Sequence, residues 1–209
     1  MPLFNRIDPR ASEDRLERLI EQRLQPGADR AAIDQLIWKL FGERWAVMFT
    51  DLIGFSRRVA EFGIVEFLQT IHISHRLLVP CVERGGGILL KTEGDSMLII
   101  FRQPRDAVNA ALDMQRCLAA YNASRGPAEH VLLGVGIGCG EVLRIGDTDV
   151  FGAEVNAAAK LGEDTAGAGE ILLTQAVYEA ARDDGHAGFE PLDSAPPGTT
   201  AAYRLRYSL

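Results

Sequence analysis

Long apolar runs are missing from this sequence: none approaches the roughly 18 residues that a membrane-spanning helix requires. The first residues, MPLFNRIDPRASEDR, also lack the apolar stretch of a signal peptide, so a cytoplasmic protein with no membrane segment is expected. Cysteine is scarce. Cys81, Cys117 and Cys139 are odd in number, widely spaced and set among apolar neighbours, which excludes a disulfide framework or zinc site and reads as buried reduced thiols. Basic clusters are absent too, and 29 acidic against 22 basic residues leave a net charge of −7. Such a chain is a poor partner for nucleic acid or an anionic membrane surface. A small polyanion bound together with a divalent cation remains compatible, because the cation supplies positive charge locally. The four histidines suggest no metal site, since His72 and His75 share a helical face without a third ligand nearby in sequence.

What is present is a core. Hydrophobic residues at 47% and charged residues at 24% describe a globular protein, and 209 residues fit one domain with an appendage. Residues 1–43 differ from the remainder. Charges alternate around Leu16, Leu19, Ile20 and Leu24, QPGAD stops that helix, and Ile33, Leu36, Ile37 and Leu40 line a second one. This helical extension either packs on the main domain or serves dimerisation or regulation, and the two roles are compatible.

From Trp45 strands and helices alternate. WAVMFT reads as a buried strand and Ile64 to Val82 as a helix. ILLKT and SMLIIF form a hairpin around EGD, and Pro104 opens a helix reaching Tyr121. HVLLGVGIGCGEVLRIG reads as a pair of strands. FGAEVNAAAKLGED is a predicted helix, EILLT a strand, QAVYEAARDD a helix, and AAYRLRYSL a last strand. Together they predict an α+β sandwich with helices against a mixed sheet over residues 44–209.

Three segments carry chemistry. In FTDLIGFSRRV a strand delivers Asp51, and Ile53, Gly54, Phe55 and Ser56 lead toward a helix. Backbone N–H groups there would form an anion nest, with Asp51 at its edge holding a cation against a phosphate. The alternative is a plain helix cap. In ILLKTEGDSMLIIF, Asp95 sits at the hairpin turn, where a neighbouring strand brings it toward Asp51; two such carboxylates repel unless a metal lies between them. Lys91 interrupts an apolar strand and needs a partner, because an unpaired buried ammonium is costly. In LRIGDTDVFGAEVNAAAKL, Asp149 precedes an aromatic and a glycine, and Asn156 and Lys160 recur four apart on one helix face. They offer an amide for a ribose or base and a charge for a phosphate; equally, they suit a helix hydrogen bond and a solvated charge.

Together, FTDLIGFS, KTEGD and DVFGAEVNAAAKL, in this order and spacing, resemble the class III nucleotidyl cyclase catalytic domain over roughly Trp45 to Leu205. The resemblance implies a ferredoxin-like cyclase sandwich with a mostly antiparallel mixed sheet. It implies metal ligation by Asp51 and Asp95, with two Mg²⁺ or Mn²⁺ ions per active site. Lys91 and Asp149 then match the residues that recognise adenine, and Asn156 the one that orients the ribose. Guanylyl cyclases typically carry glutamate and cysteine at the two base-reading positions, so this chain is similar to the adenylyl kind. The implied reaction is conversion of ATP to 3′,5′-cyclic AMP and pyrophosphate by in-line attack of the ribose 3′-hydroxyl. It takes place at two interface sites of a homodimer, one subunit holding the metals and the other reading the nucleotide.

Two positions depart from the family pattern. Lys160 stands where the family usually has an arginine that stabilises charge on the α-phosphate, and LDSAPPGTTAAYRL lacks the usual late phosphate-binding lysine. Arg144 or an N-terminal arginine is a candidate replacement. These departures keep open a nucleotide-binding regulatory module of little or no turnover, or a cyclase for another base.

Overall fold

The computed structural model describes residues 10–54, 63–185 and 188–209. Two helices, α1 (Ala11–Leu24) and α2 (Arg30–Phe41), form an antiparallel hairpin. Asp29 caps α2 by accepting from the Ala32 N–H at 3.0 Å, and Arg23 pairs with Asp34 across the hairpin at 2.6 Å. The apolar stripe of the hairpin does not stand alone: Leu19, Ile37 and Phe41 bury Ile145 of the main domain.

α2 runs straight into β1 (Gly42–Leu52). Thereafter come α3 (Ile64–Arg84), β2 (Ile88–Glu93), β3 (Ser96–Phe101), α4 (Pro104–Asn122) and β4 (Leu133–Ile145). The chain continues through β5 (Asp149–Phe151), α5 (Ala153–Ala159), β6 (Ile171–Thr174), α6 (Gln175–Ala181), β7 (Gly188–Pro191) and β8 (Ala202–Arg206). The strands lie in the order β2-β3-β1-β4-β6-β8-β7, with β5 folded back on the end of β4. Pairing is antiparallel apart from β4 with β6. The unit β1-α3-β2-β3-α4-β4, in which β3 separates β1 from β2, is the ferredoxin-like arrangement within an α+β fold.

Strand periodicity divides the core between two faces. Ala46, Met48 and Leu52 pack with Leu78 and Val82 of α3, Val108 and Met114 of α4 and Val177 of α6. Trp45 and Val47 face the other way, toward Val150 of β5 and Val155 of α5. That second face positions the functional segments.

β4 differs from the sequence expectation. HVLLGVGIGCGEVLRIG is not a strand pair but contains one continuous strand, Leu133–Ile145. Its glycines look like turn signals, yet none from Gly134 to Gly140 has positive φ. They clear space instead. A Cβ on Gly136 would lie 2.2 Å from the Gly162 nitrogen, and one on Gly138 would lie 2.5 Å from the Glu154 carbonyl oxygen. The alternating glycines let α5 and the turn after it rest directly on the sheet backbone. The expected helix FGAEVNAAAKLGED is likewise divided, α-helical to Ala159 and π-helical over Lys160–Thr165. The short strands β5 and β7 were too brief to leave a periodic signal. Among the described residues, no helix is long and apolar enough to cross a membrane.

Candidate active site

Asp51 lies near the end of β1 on the Trp45/Val47 face, and Ser96, at the start of β3, donates its hydroxyl to Asp51 Oδ1 at 3.4 Å. Burial, then the negative charges of Asp95 and Glu163, push the Asp51 carboxyl up to about 6. Asp95 follows Gly94 in the β2–β3 turn, where φ of +61° requires glycine, and burial raises its pKa too. The hairpin thus brings together the two carboxylates expected from the sequence. With no cation bound, the Asp51 carboxyl keeps its proton up to about pH 6.

Hard carboxylate oxygens suit Mg²⁺ or Mn²⁺, which bind through one or two carboxylates plus water and substrate phosphates rather than an all-protein cage. The donor set fits that mode. Among the described residues, no group of three or more His, Cys, Asp or Glu side chains is arranged to hold a metal ion.

After Asp51 the Ile53 N–H donates to the Leu132 carbonyl at 2.9 Å, so that member of the expected anion nest is already engaged. Gly54 has φ of +88°, and no atom of the described residues lies within 4 Å of where a Cβ would stand. Phe55 and Ser56 lie outside the described residues.

Lys91 finds its partner across the fold. Its ammonium donates to Asp149 Oδ2 at 2.9 Å and pairs with Glu93 Oε1 at 3.0 Å. The hydrogen bond to Asp149 is the main cause that raises the Lys91 pKa. A β-bulge makes this meeting possible. Leu89 pairs with Ile99 but Lys91 pairs with Leu98, so Leu90 is an extra residue. In a regular ladder Lys91 would oppose Met97 and point into the helix-covered core; the bulge turns it to the face of Leu98 and Asp149. Asp149 opens β5 and is fixed by the Val150 N–H, which donates to its Oδ1 at 2.9 Å.

Asn156 and Lys160 share the outer side of α5 and line a cavity of about 390 Å³ with Glu163 and Asp164. Lys160 is held by Asp164 at 2.6 Å, and that contact raises its pKa. Arg144, the candidate replacement phosphate ligand, is engaged within its own chain. It pairs with Asp147 at 2.5 Å, donates to the Gly146 carbonyl at 3.1 Å and lies 4.9 Å from the Trp45 ring.

The site residues therefore form three groups: Asp51 with Asp95, Lys91 with Asp149, and Asn156 with Lys160. Sequence reasoning missed Ser96, Glu93, Glu163 and Asp164. Ser96 was legible as the residue after Asp95 on a paired strand, whereas Glu163 and Asp164 take their places through a π-turn with no sequence signal.

The family model described as the adenylate and guanylate cyclase catalytic domain matches residues 42–194. The serine/threonine-protein kinase pkn2 of Myxococcus xanthus is 32% identical over 145 residues, covering 69% of this chain and 17% of that protein. Putative adenylate cyclase 3 of Rhizobium meliloti is 28% identical over 134 residues, covering 64% of this chain and 22% of that one. The chain thus spans roughly a fifth of the length of these curated relatives. The crystal structure of the adenylyl cyclase CyaB from P. aeruginosa superposes with a TM-score of 0.67 at 20% identity, covering 80% of this chain and 96% of that one, a likeness of fold.

Proposed function

The chain belongs to the adenylate and guanylate cyclase catalytic-domain family, and from that membership we propose that it converts ATP to 3′,5′-cyclic AMP and pyrophosphate. The observation that carries the choice of base is the Lys91–Asp149 pair. Adenine presents an acceptor at N1 and a donor at N6, matched by an ammonium and a carboxylate. Guanine presents the reverse at N1 and O6.

In this reading Asp51 and Asp95 would hold two Mg²⁺ or Mn²⁺ ions, which would lower the pKa of the ribose 3′-hydroxyl and stabilise charge on the phosphates. Gly54 lets the phosphates approach the main chain. Asn156 orients the ribose, and Lys160 places its charge against the α-phosphate. The 3′-oxygen bonds to the α-phosphorus as the bond to the β-phosphate oxygen breaks, so pyrophosphate leaves and no covalent enzyme intermediate is needed. The three groups complete one site when two chains associate about a two-fold axis, one supplying Asp51 and Asp95 and the other the remaining groups. Helices α1 and α2 form an extension that dimerises or regulates the domain that begins with β1, a reading supported by the packing of Leu19 and Phe41 with Ile145.

The direct test incubates the purified protein with ATP or GTP and Mn²⁺ or Mg²⁺ and measures both cyclic products. Cyclic AMP in excess over cyclic GMP is expected. Nucleotide binding without product under either metal would favour the regulatory-module reading.

Two further outcomes follow. Lys160 keeps a charge without the planar fork of arginine and is shared with Asp164. The variant K160R is expected to raise kcat about 3- to 10-fold, the worth of one better charge-assisted hydrogen bond. An unchanged or lower rate would show that the lysine already has its working geometry.

The second outcome concerns pH. Asp51 keeps its proton until about pH 6 in the metal-free protein, so a cation must displace it. Mn²⁺ affinity, measured calorimetrically without nucleotide, should climb between roughly pH 5 and pH 7 and binding near pH 6 should release a proton. The raised folded pKa also sets a sign for stability. Without metal, the contribution of this carboxyl is full below its unfolded value and is lost as pH rises through about 6. Saturating Mn²⁺ should reverse that trend in melting temperature.

A further inference from the structure

Resting on the roles just given to Asn156 and Lys160, we propose that Glu154 is the positioning residue that sets their helix against the sheet. α5 spans Ala153–Ala159 and, with the π-turn that continues it to Thr165, is still only marginally stable by its own hydrogen bonds. No side chain caps its N-terminus at Gly152. Its placement must come from contacts with what lies beneath.

Beside the apolar packing of Val155, Glu154 supplies the directional ones. Its Oε2 accepts the Cys139 N–H at 3.0 Å and the Thr174 hydroxyl at 2.6 Å. Both donors sit where the sheet opens: the parallel pairing of β4 with β6 runs from Val135 with Ile171 to Ile137 with Leu173 and then ends. Cys139, two residues past the last pair, therefore turns its N–H to a place where β6 offers it no pairing partner. Thr174 is fully buried, and its hydroxyl points to the same carboxylate. Leaving either donor unmet would be costly in the interior.

The sequence clears room for this side chain. A Cβ on Gly140 would lie 2.8 Å from Glu154 Cγ, and a Cβ on Gly138 would meet the Glu154 main chain. Glu154 thus lies flat across β4 and fixes both the height and the rotation of α5. Asn156 is two residues further and Lys160 starts the π-turn, so both inherit that setting. A displacement near 1 Å at a reacting centre costs up to about 100-fold in rate.

Both hydrogen bonds fall on one oxygen, which gives the test its discrimination. The carbonyl oxygen of glutamine can accept both, so E154Q should keep kcat within about threefold of wild type. E154A should lose about 10- to 100-fold in kcat, with KM for ATP within about threefold, because positioning acts on the transition state. T174V, which keeps volume and removes one donor, should lose less than E154A. It also serves if E154A fails to fold.

Hydrogen–deuterium exchange of residues 153–165 in the nucleotide-free protein gives a readout independent of turnover. Exchange should quicken there in E154A and T174V and stay near wild type in E154Q. Wild-type exchange in E154A and T174V, or equal losses in E154Q and E154A, would overturn the proposal. A wild-type protein that makes no cyclic nucleotide would remove the proposed activity, while the exchange measurement would still decide the role of Glu154.

Discussion

D51N is expected to lower cyclic AMP formation by at least about 10³-fold, because an amide of equal size cannot carry the charge that a divalent cation needs. That factor corresponds to roughly 4 kcal/mol of lost transition-state stabilisation, within what a catalytic cation supplies. The same substitution should make the metal-free protein more stable. Asp51 is already disfavoured as an anion by its burial and by the charges of Asp95 and Glu163, and asparagine removes that penalty. Ser96 can still donate to the amide oxygen in place of Oδ1. A higher melting temperature near neutral pH together with lost turnover therefore separates a ligand defect from misfolding. Full activity in D51N would sink the two-metal reading.

The second large effect is on base choice. The double variant K91E/D149C replaces the ammonium and carboxylate that suit adenine with the pair typical of guanylyl cyclases. Each charged hydrogen bond to a base edge is worth about 1.5–3 kcal/mol, so the ratio of kcat/KM for ATP over GTP should fall by about 10² to 10⁴. Both changes are needed. K91E alone would set a third carboxylate beside Glu93 and Asp149, which now share the Lys91 ammonium, and the repulsion would displace the strand end. The measurement is kcat/KM for each nucleotide in the single and double variants. An unchanged preference for ATP would mean that Lys91 and Asp149 pair for structure and read no base.

Much of the fold is legible in the sequence because it is local. The apolar run of β1, the β2–β3 hairpin around Gly94 and the helix opened by Pro104 all appear where their patterns place them. β4 was misread because a glycine every second residue looks the same whether it marks a turn or a close approach. Only the presence of α5 and Gly162 above the strand distinguishes the two. The surroundings of Arg144 were hidden for a related reason: sequence shows its charge but not the carboxylate, carbonyl and ring beside it.

What the sequence by itself determined is the set of chemical groups: Asp51 and Asp95 at strand ends, Lys91 in need of a counter-ion, and Asn156 and Lys160 on one helix face. Strand and helix periods are local properties, so residue spacing suffices to put these groups at element ends and on shared faces. Tertiary structure alone decided which groups meet. The bulge at Leu90 chose the face of Lys91, the π-turn brought Glu163 near Asp51, and the gap between β4 and β6 gave Glu154 its two donors. Each depends on strand register and on which donors are left without a backbone partner, and those are set by pairing between segments far apart in the chain.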